Sequence, residues 1–172
     1  AYHAFRRIIL ANDRRILDAQ LVEANGRYAM DLDALQAKLT PRTKVVFFCN
    51  PHNPGGTVWS PAEIRALADL CKRNDLILVS DEIHCDLILG AAKHTPTLTA
   101  APDIADRLFT CVAATKTFNL AGAHVGACVT SNPALKRKLD ARILAGGLAS
   151  YNTFGMIATE AAWRMGEAWL DA

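Results

Sequence analysis

Apolar runs alternate with amphipathic stretches along most of this chain. After its first residue, Lys44-Val45-Val46-Phe47-Phe48-Cys49 is continuously apolar; Leu76-Ile77-Leu78-Val79-Ser80 and Leu108 to Val112 repeat the pattern. Such short runs predict strands buried on both faces, as in a parallel sheet. Ala127-Cys128-Val129-Thr130 predicts a fourth strand. Between these runs the spacing turns helical. Asp31 is placed to cap a helix over Leu32 to Leu39, with Leu32, Leu35 and Leu39 on one face and Thr40-Pro41 ending it. Ser60-Pro61-Ala62-Glu63 joins an N-cap serine, a proline at the first helical position and a capping-box glutamate. Ile64, Leu67, Ala68 and Cys71 then form the buried stripe. Asn132-Pro133 opens a basic amphipathic helix through Leu135, Leu139 and Ile143; Gly146-Gly147 breaks it, and Thr153 to Met165 forms another. Near the start, Tyr2 to Leu10 fits a short helix, Ile16 to Val22 a strand and Asn25-Gly26 a turn. Strand, helix and strand in alternation predict an α/β fold with a mainly parallel sheet.

Composition narrows the picture. With 172 residues, 51% apolar and 21% charged, the chain has the makings of one globular core. A net charge of +2, with lysine and arginine dispersed, gives no footprint of a nucleic-acid binder. Cys49, Cys71, Cys85, Cys111 and Cys128 stand far apart with no C-x-x-C pair, and read as buried free thiols of a reducing cytoplasm. No apolar run approaches the roughly 20 residues of a membrane span, so a soluble cytoplasmic protein is expected. The abrupt beginning at Ala1 and the end inside a helical pattern at Trp169-Leu170-Asp171-Ala172 suggest that both ends are cut.

Ligands of open α/β sheets sit beyond the carboxyl ends of the strands. Asn53, Asp81, His84 and Lys116 each follow a predicted strand within a few residues, so the fold would gather them from distant positions. Taken singly, Asp81 is a helix cap, His84 a core imidazole and Lys116 a solvated charge; as a set they point to chemistry. Asp81-Glu82-Ile83-His84 also fits a helicase D-E-x-H box, but no P-loop accompanies it, and no G-x-G-x-x-G supports dinucleotide binding. A metal site from Asp81, His84, Cys85 and Asp86 is disfavoured because neighbours in one short segment rarely converge on an ion.

The order Asn53-Pro54-Gly55-Gly56, Ser80-Asp81-Glu82-Ile83-His84, then Ala114-Thr115-Lys116-Thr117-Phe118-Asn119 resembles the large domain of fold-type I pyridoxal-phosphate enzymes. Within the class I and II aminotransferases it is most similar to the cystathionine β-lyase branch of MalY and PatB type. The resemblance implies a three-layer αβα large domain of which residues 1–172 are the central part, an N-terminal portion and a C-terminal small domain being absent. It makes Lys116 the Schiff-base lysine and Asp81 the partner of the pyridine nitrogen. Asn53 and His84 would serve the ring's 3-oxygen, Tyr2 would stack on the ring, and Thr115 would bind the phosphate. Ala113 and His124 depart from the usual phosphate contacts, a hydroxyl and an arginine, which favours the lyase branch. The implied cofactor is pyridoxal 5'-phosphate, and the implied reaction is elimination from cystathionine or another cysteine thioether. A class I/II aminotransferase, or a non-catalytic module on the same fold, is the alternative. The implied partners are an amino-acid substrate and a second subunit in a homodimer, which Ser150-Tyr151-Asn152 would approach.

Overall fold

The structure, a computed structural model, describes residues 2–172. It begins with helix α1 (His3–Ala11), followed by a two-stranded antiparallel hairpin, β1 (Leu21–Ala24) and β2 (Arg27–Met30). Asn25 and Gly26, at φ 55° and 72°, form the tight turn between them, a backbone that asparagine and glycine adopt most readily. The expected strand from Ile16 to Val22 is therefore displaced: pairing starts at Leu21, and β2 is an element the apolar pattern does not announce. Its Arg27 and Tyr28 are exposed, which blurs the alternation. Helix α2 (Leu32–Lys38) follows, capped by Asp31, whose carboxylate accepts from the Ala34 N–H at 2.8 Å.

The main sheet has the order β3 (Val45–Cys49), β4 (Ile77–Asp81), β5 (Leu108–Val112) and β6 (Ala127–Val129). The first three run parallel, and β6 pairs antiparallel with β5. Helix α3 (Pro61–Arg73) crosses from β3 to β4, and α4 (Thr97–Ala100) with a 3-10 helix over Pro102–Arg107 precedes β5. On one face Phe48, Leu78 and Leu108 pack against Ile64, Leu67 and Cys71 of α3 and against Ile104. The other face meets α1, where Phe5 lies on Phe47 at a ring distance of 5.3 Å. Double-sided burial of β3 is not realised: Val45 is 42% and Phe47 36% exposed, because β3 is an edge strand of this sheet and α1 covers only part of that face.

The start of α3 follows its sequence signals. Ser60 caps the helix, Glu63 returns its carboxylate to the Ser60 N–H at 2.8 Å, and Arg27 of the hairpin grips that carboxylate at 2.7 and 2.8 Å. Arg27 and the Ser60 donors outweigh burial and bring Glu63 down to about 2. A lowered acid stabilises the fold above its unfolded pKa and loses that contribution as pH falls through the folded value. Glu63→Gln should therefore lower Tm at pH 7, with the gap to the parent narrowing between about pH 4.5 and 2; thermal melts across that range test it.

The remainder is α5 (Ala114–Thr117), a 3-10 turn over Ala121–Ala123, then α6 (Pro133–Ala145), α7 (Thr153–Met165) and α8 (Glu167–Leu170). Asn132 caps α6 and Asn152 caps α7 through side-chain oxygens. The stripe of α6 is only half-buried, and Phe154, Ile157, Met165 and Trp169 are exposed on α7 and α8. The expectation of buried thiols also fails in part: Cys49 and Cys71 are buried, Cys85 and Cys111 half-buried, and Cys128 exposed. Cys128 lies on β6, the last strand of the sheet, all three residues of which are exposed. Among the described residues, no helix is long and apolar enough to cross a membrane.

Candidate active site at the carboxyl edge of the sheet

The two-residue period of β4 separates neighbouring groups onto opposite faces. Ser80 points into the core, whereas Asp81 shares the opposite face with Cys49 of β3 and Cys111 of β5, its partners in register. Asp81 is half-buried and accepts a hydrogen bond from the Ile83 N–H at 3.3 Å. Burial raises its pKa; the Ile83 N–H and the nearby His84 oppose the shift without cancelling it. Among the described residues no cation forms an ion pair with it.

His84 follows on the same loop. Burial lowers its pKa, Asp81 works against that, and the positive charge of Lys116 adds to the lowering. His84 thus lies within electrostatic reach of both Asp81, from its own strand end, and Lys116, from the end of β5. Lys116 is exposed on α5, the single helical turn that β5 leads into. A hydrogen bond of 2.9 Å from the Thr117 hydroxyl to Asp86 ties this turn to the loop after β4. Thr115 is half-buried on the same turn.

Asn53 and His84 line one open cleft, together with His52, Leu87 and Ile88. The Asn53 loop is held from beneath: the Asn50 N–H donates to the Asp81 carbonyl at 2.9 Å, and the Trp59 indole donates to the Cys49 carbonyl at 2.9 Å. Gly55 is required there, since a Cβ would meet the His52 ring at 2.6 Å. Tyr2 stacks edge-on against Phe5, which itself lies on Phe47, so Tyr2 belongs to the same side of the sheet as Asp81. His124, exposed, has a left-handed backbone just before β6. The segment 150–152 leads into α7, and the Asn152 amide donates to the Ala123 carbonyl.

Sequence reasoning passes over a buried polar cluster behind the site. Glu82, 2% exposed, accepts from the Ser80 hydroxyl at 2.8 Å and the Thr97 N–H at 3.0 Å, and pairs with His94 at 3.0 Å. Burial pushes Glu82 up, but these partners together leave it below the usual glutamate range. The cluster ties the loop carrying His84 down to α4. The signal that reveals it is again the period of two, which sends Asp81 and Ser80 to different faces.

Asp81, a lysine on the turn after the next strand and an asparagine loop after the previous one mark a candidate ligand site at the carboxyl edge of a parallel sheet. The family model for aminotransferase class I and II matches residues 2–167, and the chain belongs to that family. It is 40% identical over 171 residues to cystathionine beta-lyase PatB of Bacillus subtilis, covering 99% of this chain and 44% of that one. Cystalysin from Treponema denticola, whose structure contains a pyridoxal 5'-phosphate cofactor, superposes with a TM-score of 0.94 at 33% identity, over 99% of this chain and 43% of that one. N-Succinyldiaminopimelate aminotransferase from Mycobacterium tuberculosis superposes with a TM-score of 0.88 at 26% identity, over 98% and 43% of the two chains. The chain thus spans less than half the length of these relatives.

Proposed function

We propose that the full polypeptide carrying this chain is a pyridoxal-phosphate-dependent C–S β-lyase, cleaving cystathionine or a related cysteine thioether to a thiol, pyruvate and ammonia. The observation that carries the reading is Asp81: a half-buried carboxylate with no ion-pair partner among the described residues, within electrostatic reach of His84, which in turn senses Lys116. That is the donor set a protonated pyridine ring bearing an aldehyde requires. The likeness to PatB and cystalysin supports the same choice.

When bound, pyridoxal phosphate supplies an electron sink for the pair released as a bond at the substrate's α-carbon breaks. Asp81 would hold the proton on the pyridine nitrogen with a charge-assisted hydrogen bond. Lys116 would hold the cofactor through its amine and serve as the base for the substrate's α-proton. Asn53 and His84 would orient the ring through its 3-oxygen, Tyr2 would cover a ring face, and Thr115 would hold the phosphate. The active assembly in this reading is a homodimer.

Transamination uses Lys116 and Asp81 in the same way up to proton removal, and the likeness to an aminotransferase over the same span favours keeping it as the second reading. His124 tips the balance, since an imidazole cannot give a phosphate the two-pronged grip of an arginine. Incubating the full polypeptide with cystathionine, with and without an added keto acid, separates the two. Pyruvate released without keto acid is the expected result; a strict keto-acid requirement overturns the lyase assignment.

A further inference from the structure

Cys49, Asp81, Cys111 and Cys128 form one row across the sheet, each in register with the next. Cys111 and Cys128 are direct cross-strand partners in the antiparallel β5–β6 pair, and both are free thiols. Opposed residues in such a pair have Cα atoms about 4.5 or 5.5 Å apart, and disulfides span about 4.4–6.8 Å between Cα atoms. Joining the two sulfurs therefore requires no change of register.

The two thiols are also differentiated. Cys128 is exposed, so a small reagent reaches it first, and Cys111 is half-buried behind it. The facing Cys111 thiol stabilises the thiolate of Cys128, which brings Cys128 down to about 7 despite partial burial. The facing Cys128, with burial and the charges of Asp81 and Glu82, holds the proton on Cys111. The other cysteines differ: burial pushes Cys71 up to about 12, and burial together with Asp86 does the same to Cys85. Burial also raises Cys49.

We propose that Cys111 and Cys128 are an oxidisable thiol pair that takes a small hydroperoxide and closes to a cross-strand disulfide beside Asp81. Cys128 gives its proton to solvent and the thiolate attacks the peroxide; the O–O bond breaks, Cys128 becomes a sulfenic acid, and the departing hydroxide recovers that proton to become water. The Cys111 sulfur then attacks the Cys128 sulfur, the S–O bond breaks, and water departs with the Cys111 proton. Two thiols and one hydrogen peroxide give one disulfide and two waters. Cys111 lies on β5, next to the strand of the proposed cofactor carboxylate, and Cys128 on β6 one strand further out, yet the oxidation does not depend on which reaction that site performs.

The test uses the reduced full polypeptide with its cofactor bound. Pulse alkylation with iodoacetamide at pH 7 should label Cys128 ahead of the other four cysteines. The greater thiolate fraction, offset by lower intrinsic nucleophilicity, predicts about a threefold advantage over an ordinary thiol. One equivalent of hydrogen peroxide should then remove two thiols and yield a linked Cys111–Cys128 peptide in mass spectra, reversed by dithiothreitol. Cys111→Ser should leave Cys128 as a sulfenic acid that dimedone traps. Cys128→Ser should lose no thiols at that dose. The proposal is overturned if no linked peptide forms in the unsubstituted protein, or if Cys128 alkylates no faster than Cys85. Both readouts stand on the unsubstituted protein should a variant not fold.

Discussion

Replacing Lys116 with alanine is expected to lower kcat/KM of the full polypeptide on a cysteine thioether by at least about 10³-fold. The size of the effect follows from the two duties proposed for one amine, anchoring the cofactor and moving the α-proton. His84 does not substitute for it, because burial holds that imidazole mainly neutral. Borohydride treatment followed by intact-mass measurement gives an independent readout. The parent should gain one covalent pyridoxyl-phosphate adduct, on Lys116, and the variant none. Lys116→Arg separates charge from chemistry, since a guanidinium keeps the charge but lacks the amine's reactivity; it should match alanine. An adduct on a different lysine in the parent would sink the assignment of Lys116 and leave the fold untouched.

Asp81→Asn should lower kcat by about 10- to 100-fold, the worth of a charge-assisted hydrogen bond of about 1.5–3 kcal/mol. Asparagine keeps the shape and the acceptor oxygen but cannot stabilise a protonated pyridine. The loss belongs in kcat with KM little changed, because the charge matters most when electrons move into the ring. Folding should not suffer: burial disfavours the charged carboxylate here, so its removal relieves desolvation. A fall in thermal stability in place of a kinetic defect would assign Asp81 a structural role.

The site was legible because its residues sit at strand ends. Each apolar run fixes where a strand stops, and Asn53, Asp81 and Lys116 follow within a few positions, so the α/β pattern alone predicts their convergence. Capping chemistry was equally local: Asp31, Ser60-Pro61-Ala62-Glu63 and Asn132-Pro133 each open a helix where the sequence places it. The register was not legible, because neighbouring strands carry no code for which residue faces which. That Asp81 aligns with Cys111, and Cys111 with Cys128, emerges only from pairing. The link from Thr117 to Asp86 and the burial of Glu82 with His94 likewise need residues far apart in sequence to meet.

Exposure was the other quantity outside the sequence's reach. Apolar runs predict how a strand would like to be buried, while the neighbours decide whether it is. Val45 and Phe47 on the edge strand, and Cys128 on β6, stay partly open because the described residues cover them only in part. The sequence by itself thus determined the order of elements, the helix starts and the residues that reach the sheet's carboxyl edge, because those depend on local spacing and backbone capping. Tertiary structure alone decided which side chains face each other across strands, and with that the surroundings of Asp81 and the pairing of two thiols, because register and burial are properties of contacts between distant segments.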